Sequence, residues 1–353
     1  MMQRKTILIA PLNWGLGHAT RCIPIINELI ILGYRVIIAS DGDALMLLKK
    51  EFPTLTAFEL PSYNIKYPKK GENLKWKLLT QIPHIVSNIS VEKKAVAQIV
   101  EAFNIQGIIS DNRWGARHKE IPSVFLTHQL NVLSGITSSL SSSIHQQLIK
   151  KFDECWIPDH AKSDNLSGKL GHISEETFIT RYIGPLSRMV YENVPKKYDI
   201  LILLSGPEPQ RSILEKKLLK EFKNDRRTIL MVRGVVETKE IRTTVGAVEV
   251  VNFLKTDDLA RVINECEMVV CRSGYTTIMD LSVMNKKAFF IPTPGQYEQE
   301  YLAKRLKELG LVPSCKQSKF SAKKLDKISK YKGLKNVQTE QNFKKLFCLF
   351  QRK

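Results

Sequence analysis

The sequence is poor in the features that define several common classes of protein. No run of about 18 or more apolar residues occurs, so we expect no membrane-spanning helix. The six cysteines form no C-x-x-C pair, which argues against a metal site or a disulfide framework and favours buried free thiols. Aromatic residues make up 8% of the chain, and the basic residues lie outside any recognised nucleic-acid-binding motif, so no nucleic-acid partner is expected.

Acidic residues are scarce relative to basic ones, because 35 Asp and Glu stand against 54 Lys and Arg, a formal net charge of +19. The excess is uneven: residues 315–353 hold twelve basic and two acidic side chains, a net of +10. A basic block of this kind can bind an anionic membrane surface or a nucleic acid, or can be a solvated helix face.

The chain of 353 residues is too long for one ordinary core, and its pattern favours two α/β domains. Apolar strand-like runs alternate with helical stretches in both halves, at 6–10, 35–40, 56–60, 107–110, 123–128 and 154–158, then at 200–206, 228–234, 248–253, 268–274 and 288–294. The expected organisation is a first domain over 1–184, a linker over 185–198, a second domain over 199–335 and a basic amphipathic C-terminal helix over 336–353. Ligands in doubly wound sheets bind at the carboxyl ends of the strands, so the cleft between two such domains is the default site.

The first strand runs into a glycine turn, APLNWGLGHATR, with Gly15, Gly17 and His18 ahead of a helix. A dinucleotide fingerprint would have a third glycine where Thr20 stands, although Asp41 follows the second strand where a ribose-binding acid would lie. The turn is therefore open to three interpretations: a nicotinamide site, a plain tight turn, or a loop that carries a base. The positive end of the helix dipole favours a neutral imidazole at His18, which is the form that a general base needs.

Other polar groups follow neighbouring strands of the first half. Asp111 comes directly after a buried strand and His128 ends the next one, so both are expected at the same sheet edge as His18. Each could be an ordinary turn or capping residue. Together, His18, Asp111 and His128 are the catalytic candidates, and Arg21 and Arg113 could add positive charge for an anionic group.

The strongest pattern lies in the second half, over VVCRSGYTTIMDLSVMNKKAFFIPTPGQYEQEYLAKRL (269–306). A strand ends and a helix begins at once, which presents backbone N–H groups and hydroxyls to an anion. Asp280, one turn into the helix, could accept two ribose hydroxyls. The candidates in this block are Arg272, Ser273, Gly274, Thr276, Thr277 and Asp280, followed by Gln296, Glu298, Gln299 and Glu300, whose groups suit sugar hydroxyls. The turn at 203–209 adds Ser205 and Gly206 as a weaker phosphate-binding candidate.

This block, R-S-G-x-x-T-x-x-D followed by P-x-P-G-x-x-x-Q-E, resembles the donor-binding signature of glycosyltransferase family 28. The resemblance extends to the first glycine turn with His18, and to Asn64–Leu79, which is similar to the family's membrane-facing patch. It implies a GT-B fold, with two Rossmann-like domains facing a cleft and a C-terminal helix that can return to the first domain.

The resemblance also implies roles for individual residues. Ser205, Gly206, Ser273, Gly274 and Thr276 would bind the donor diphosphate, Asp280 the ribose, and Gln299 and Glu300 the sugar. His18 would be the base of the acceptor-side loop, and no cofactor or metal would be needed. The sequence departs from the family's peptidoglycan-synthesis enzyme by one glycine fewer in the first turn and by a proline-rich 203–209 turn, which leaves the acceptor open.

The expected function is transfer of a hexose or N-acetylhexosamine from a nucleotide-diphospho sugar, UDP by resemblance, to an acceptor hydroxyl with inversion. The stretch 63–83 mixes lysines with Trp76, Leu78 and Leu79, and 342–353 repeats this mixture, which suits an anionic bilayer and a lipid- or envelope-linked glycan acceptor. The phenylalanines of 342–353 could instead pack against a domain. The N-terminal apolar stretch is read as a strand and not a secretory signal, so the expected location is cytoplasmic, on the inner face of the membrane. The alternatives are a nucleotide-sugar epimerase or hydrolase and an NAD-dependent enzyme.

Overall fold

In the computed structural model, the described residues form two compact units. The structure describes residues 4–351 except 64–81, 134, 136, 137, 163, 176, 207, 236 and 336–341. One unit contains the described residues up to 187 together with those from 342 onwards, and the other contains the described residues of 188–335. The lysine-rich patch expected at 64–79 lies outside the described residues. Within the described part of the chain, no helix has the length and apolar character needed to cross a membrane.

The first unit is built on a seven-stranded parallel sheet. Its strands are β1 (Thr6–Pro11), β2 (Arg35–Ser40), β3 (Thr56–Glu59), β4 (Ile105–Asp111), β5 (Ser123–Leu126), β6 (Glu154–Ile157) and β7 (Thr180–Tyr182). They pair in the order β3-β2-β1-β4-β5-β6-β7, so β1, β4 and β5 are neighbours in the middle of the sheet. Every residue of β1 and β5 is buried, as expected for parallel strands that are covered on both faces.

Helices connect these strands. They are α1 (Leu16–Ile31), α2 (Gly42–Glu51), α3 (Ile82–Phe103) and α4 (Ser138–Ile149). The helix α1 begins four residues before the expected Thr20, because Gly15 takes the left-handed backbone (φ 81°) that ends the turn. His18 therefore lies in the first turn of a helix whose N-terminus has no side-chain cap.

The second unit also consists of a mostly parallel sheet with connecting helices, and this sheet has six strands. Its strands are β8 (Tyr198–Leu203), β9 (Ile229–Val232), β10 (Arg242–Val245), β11 (Val248–Val251), β12 (Cys266–Cys271) and β13 (Lys287–Phe290). The order is β10-β11-β9-β8-β12-β13, in which only β10 runs antiparallel to its neighbour. The helices are α5 (Gln210–Glu221), α6 (Thr256–Asn264), α7 (Tyr275–Val283) and α8 (Tyr297–Glu308), followed by the 3₁₀ segments Gln317–Lys319 and Ala322–Lys330.

The C-terminal residues return to the first unit, as expected, but form less helix than the sequence indicated. Among residues 342–351 the structure has one α-helical turn, α9 (Phe343–Leu346), and a 3₁₀ segment, Phe347–Gln351. Lys5 Nζ donates a hydrogen bond to the Phe350 carbonyl (2.8 Å), and a Cβ on Gly107 would lie 2.3 Å from Phe350 Cδ1. A side chain at 107 would therefore collide with the Phe350 ring. Phe347 and Phe350 are buried, and each ring lies 6.2 Å from the ring of Trp156 on β6.

A buried histidine fixes the loop that follows β5. His145 on α4 donates from Nε2 to the Gln129 carbonyl (2.9 Å), and its Nδ1 accepts from Trp114 Nε1 (3.3 Å). Both nitrogens are used by a neutral ring, and burial lowers the pKa of His145 from its usual 6.5 to about 4.

This burial predicts a specific loss of stability in acid. Between pH 6.5 and 4 the unfolded chain protonates His145 while the folded chain keeps it neutral, so the free energy of unfolding should fall as the pH falls through this window. Over this pH window the titration of His145 should lower the free energy of unfolding by about 3 kcal/mol. His145→Gln keeps a donor and an acceptor without titrating, so urea unfolding from pH 4 to 8 should show a shallower loss in the variant. Parallel pH curves for the two proteins would contradict the assignment.

Candidate functional site

Polar side chains from the start of α1 and from the ends of β4 and β5 come together at the carboxyl edge of the first sheet. The β1–β4 register pairs Pro11 with Asp111, and β4–β5 pairs Asp111 with Leu126, two residues before His128. The first turn of α1 brings His18 and Arg21 to the same edge. We refer to His18, Arg21, Asp111 and His128 as the His18 cluster.

The His18 cluster is held by hydrogen bonds to one buried carboxylate. His18 Nδ1 lies 2.7 Å from Asp111 Oδ1, and Arg21 bonds both oxygens, from Nε to Oδ2 at 2.5 Å and from Nη2 to Oδ1. Asp111 and Arg21 are buried, whereas the His18 side chain is 13% exposed. The sequence placed these groups on one edge, and the structure brings them into direct contact.

The electrostatics of the cluster keep Asp111 ionised. Burial alone would raise its pKa, but the Arg21 charge, together with His18 and the hydrogen bonds of both, lowers the pKa to about 2. The thiol of Cys22 faces the same carboxylate at 3.7 Å, and burial followed by the Asp111 charge raises the pKa of that thiol well above its usual range. At neutral pH the cluster therefore contains a carboxylate that only accepts hydrogen bonds.

The hydrogen bonds assign different tautomers to the two histidines. Because the Asp111 carboxylate only accepts, the 2.7 Å contact places the proton of a neutral His18 on Nδ1 and its lone pair on Nε2. Arg21 Nη2 also lies 3.0 Å from Nδ1, where it is a neighbouring cation and not a donor to a protonated nitrogen. No group in the described part of the chain hydrogen bonds to His18 Nε2. In contrast, Arg21 Nη1 donates to His128 Nδ1 at 2.8 Å, which places the proton of a neutral His128 on Nε2. Of the two rings, His18 is thus the one that can accept a proton from an incoming group.

Two arginines do not have the environment that the sequence suggested. Arg21 and Arg113 were expected to offer charge to an anion, but both are buried and engaged by carboxylates. Arg113 bonds Asp41 Oδ1 (2.6 Å), Glu92 Oε1 and the Pro61 carbonyl (2.6 Å). Each guanidinium already has a counter-ion inside the protein, so neither offers an uncompensated charge at this edge.

The same contacts leave Asp41 unsuited to the ribose-binding role considered for it, because its carboxylate is already used inside the protein. Asp41 is buried, and its oxygens accept from Arg113 (2.6 Å) and from Asn13 Nδ2 (3.3 Å). Thr20, which stands in place of a third glycine, donates its hydroxyl to the Gly17 carbonyl at 3.1 Å. The turn therefore forms the start of α1, which carries His18. The exposed Gly15 is the N-cap of this helix.

The second unit has a buried cation at the carboxyl edge of its sheet. Arg272 directly follows β12, is fully buried, and donates from Nη1 to the Ile291 and Pro292 carbonyls (3.0 and 3.2 Å) and from Nη2 to the Gln210 carbonyl (2.9 Å). Its Nε has no partner, and no carboxylate pairs with it among the described residues. Burial lowers the pKa of Arg272 to about 10, so the group stays cationic at neutral pH.

The helix that follows Arg272 begins without a side-chain cap. Gly274 is the N-cap of α7, and the first backbone bond inside the helix runs from Ile278 N–H to the Gly274 carbonyl. Thr276, Thr277 and Asp280 are half-buried on this helix. Such an end favours an anion through its N–H groups and its dipole.

The hydroxyl of Ser273 is used internally, contrary to expectation. Ser273 is buried and donates to the Gln299 carbonyl at 2.7 Å, which ties α7 to α8. Its side chain is therefore not presented to a phosphate, although its backbone lies at the start of the loop.

The residues expected at the sugar end lie at the start of α8. Gln296 is its half-buried N-cap, Gln299 is buried and accepts from Thr293 N–H (2.8 Å), and the exposed Glu300 accepts from Gly295 N–H (3.1 Å). Across the sheet, Ser205 and Gly206 are exposed after β8, and Gly206 has φ 98°.

One residue of this edge was missed. Thr293 is buried, and its hydroxyl has no hydrogen-bond partner among the residues described. Its signal in the sequence was a hydroxyl just after a parallel strand, inside the PTPG turn. Among the described residues, no three His, Cys, Asp or Glu side chains form a group that could hold a metal ion.

Comparison with known proteins identifies the second half of the chain. Residues 210–346 match the family model described as glycosyltransferase family 28 C-terminal domain. The chain is 23% identical over 337 residues to an uncharacterised glycosyltransferase of Methanosarcina acetivorans, covering 86% of this chain and 84% of the relative. It is 24% identical over 226 residues to the UDP-N-acetylglucosamine–N-acetylmuramyl-(pentapeptide) pyrophosphoryl-undecaprenol N-acetylglucosamine transferase of Histophilus somni, covering 61% and 58%.

Solved structures share the fold over nearly the whole chain. The glycotransferase of kitacinnamycin superposes with a TM-score of 0.64 at 14% identity, covering 99% of this chain and 95% of the other. MurG of Acinetobacter baumannii superposes with a TM-score of 0.58 at 12% identity, covering 99% and 100%. These likenesses confirm the expected fold, which is GT-B, and the sequence matches show that the chain is a glycosyltransferase whose residues 210–346 match the family 28 C-terminal domain.

Proposed function

We propose that this glycosyltransferase moves a hexose or N-acetylhexosamine from a UDP-sugar to an acceptor hydroxyl, with His18 as the base. The observation that carries the proposal is the His18–Asp111 pair. An ionised, buried carboxylate fixes the proton on Nδ1 and leaves the Nε2 lone pair for the acceptor. A general base needs this combination of orientation and protonation state.

The donor side of the proposal is the start of α7. Its uncapped N-terminus and the unpaired cation of Arg272 favour a diphosphate, and Asp280 one turn further offers a carboxylate to the ribose. Gln299 and Glu300 would contact the sugar. The choice of UDP is supported by the printed name of the Histophilus somni relative, which contains UDP-N-acetylglucosamine.

In the proposed reaction the acceptor oxygen attacks the anomeric carbon while its proton passes to His18 Nε2. The bond between that carbon and the phosphate oxygen breaks, and the electron pair leaves with the nucleoside diphosphate. Asp111 stabilises the imidazolium that forms, so we assign it as a positioning residue. The start of α7 and Arg272 stabilise the leaving diphosphate. A single displacement inverts the anomeric centre, and we propose that it needs no divalent metal.

His18→Ala should lower kcat about 10²–10⁴-fold, because it removes the proposed base. The affinity for UDP should not change, since the donor side lies in the other unit. The measurement is turnover of UDP-hexoses and UDP-N-acetylhexosamines with lipid-linked saccharides, using the pair that the wild type accepts.

Asp111→Asn should also lower kcat, with an added loss of stability from the unpaired Arg21 of about 3–5 kcal/mol. His118→Ala, on a loop of the same unit, is the control and should retain full activity. If His18→Ala turned over at the wild-type rate, the assignment of His18 as the base would be contradicted. Loss of wild-type activity in EDTA would refute metal independence.

Asp280→Ala should weaken UDP binding at least about tenfold, roughly 1.4 kcal/mol, because it removes an acceptor of ribose hydroxyls. Calorimetric titration with UDP, GDP, dTDP and NAD measures this. Asp258→Ala, on the exposed face of α6, is the matched control and should bind as the wild type does. Binding of NAD alone, with no effect of Asp280→Ala, would exclude the proposed donor site.

We further propose that the acceptor is lipid- or envelope-linked and that the enzyme works on the cytoplasmic face of the membrane. Support comes from the basic and apolar residues of 64–79 in the sequence and from the word undecaprenol in the name of the Histophilus somni relative.

Vesicles that contain phosphatidylglycerol should sediment the enzyme at low salt. Replacing Lys66, Lys69, Lys70 and Lys75 together by Gln should weaken this binding at least about tenfold, since each lysine near an anionic surface contributes about 1 kcal/mol. The exposed pair Lys344 and Lys345, replaced by Gln, is the comparison. Equal recovery of wild-type protein with neutral and anionic vesicles would contradict the proposal.

A further inference from the structure

The hydroxyl of Thr293 is buried without a partner at the edge of the second sheet. Thr293 is 5% exposed, its N–H donates to Gln299 Oε1 (2.8 Å), and its carbonyl accepts from Gln296 N–H (3.1 Å). Its Oγ1, in contrast, has no hydrogen-bond partner in the described part of the chain. Burying an unsatisfied hydroxyl is costly, so such a group needs an explanation such as a bound ligand.

The hydroxyl points across the end of β12. A Cβ placed on Gly206 would lie 3.8 Å from Thr293 Oγ1, and Gly206 itself is exposed. Gly206 follows β8 and Thr293 follows β13, and β12 lies between these two strands in the sheet. The hydroxyl is therefore directed over the point where β12 ends and α7 begins.

Arg272 brings a positive charge to this point, and no carboxylate within the described part of the chain forms an ion pair with it. Arg272 donates to the carbonyls of Ile291 and Pro292, the two residues before Thr293, and its Nε also has no partner. Two buried polar groups without partners thus lie beside the uncapped start of α7. A hydroxyl beside a buried cation can donate a hydrogen bond to an anionic oxygen that the cation also attracts, and a hydrogen bond to an ionised acceptor is stronger than one between neutral groups.

We propose that Thr293 Oγ1 donates a hydrogen bond to the sugar-side phosphate of the nucleotide donor and so distinguishes diphosphates from monophosphates. This inference depends on the proposed donor site. The sugar side is assigned because Thr293 is bonded to Gln299, the residue proposed at the sugar, whereas the ribose candidate Asp280 lies one turn into α7. Ser273 cannot take this role, because its hydroxyl is already bonded to the Gln299 carbonyl.

The test compares Thr293→Val and Thr293→Ser with the wild type by calorimetric titration with UDP and UMP. Thr293→Val should weaken UDP binding roughly ten- to hundredfold, the effect of losing a hydrogen bond to a charged group, and leave UMP binding unchanged. Thr293→Ser keeps the hydroxyl and should bind UDP nearly as the wild type does. The ligand-free Thr293→Val protein should melt at or above the wild-type temperature, because the variant no longer buries an unsatisfied hydroxyl.

The outcomes separate this inference from the proposed function. Wild-type binding of UDP with no change in Thr293→Val would overturn the role of Thr293 and leave the donor site standing. Equal losses for UDP and UMP would overturn the assignment to the sugar-side phosphate. A lower melting temperature of the ligand-free variant, with loss of both ligands, would show a structural role. Failure of the wild type to bind any nucleoside diphosphate would overturn the donor site itself.

Discussion

The acceptor-side arrangement depends on the buried ion pair between Arg21 and Asp111. A carboxyl group buried this deeply would be neutral without a cation, and a neutral carboxyl would not hold the proton of His18 on Nδ1. Arg21 reverses the effect of burial and keeps the pKa of Asp111 near 2. Because Arg21 and His18 share the first turns of α1 while Asp111 ends β4, the pair also fixes the helix to the sheet. The orientation of the proposed base is thus a property of the packed core, not of a mobile loop.

The second unit uses the same residue type in the opposite way. Arg272 is as buried as Arg21, but among the residues that the structure describes it bonds only carbonyl oxygens and leaves Nε without a partner. A paired arginine holds a carboxylate and contributes no net charge to its surroundings, whereas an unpaired one keeps its potential for an incoming anion. This difference distinguishes the side of the enzyme that would orient a base from the side that would bind a diphosphate.

The buried strands of both sheets could be predicted from the sequence, because parallel buried strands are continuous apolar runs. The candidate site residues that follow these strands were located in the same way. Edge strands were missed: Thr180–Tyr182 and Arg242–Val245 are short and not buried, so they lack that signal. The gathering of His18, Asp111 and His128 followed from strand order. The partners of Arg21, Arg113 and Ser273 did not, since which face of a turn is buried depends on tertiary packing. Thr293 was missed because an unsatisfied hydroxyl can be recognised only when its surroundings are known.

The groups without partners at the end of β12 have a catalytic consequence if a nucleotide sugar binds there. Binding would give Arg272 and the Thr293 hydroxyl the anionic oxygens that the ligand-free protein does not supply. As the bond to the anomeric carbon breaks, the leaving diphosphate gains negative charge, so the same contacts strengthen towards the transition state. An arginine already neutralised by a carboxylate, as Arg21 is, would add little at that moment. The lack of a counter-ion for Arg272 lowers the stability of the ligand-free protein. In return, the charge of Arg272 is available to stabilise the leaving diphosphate in the step in which negative charge develops.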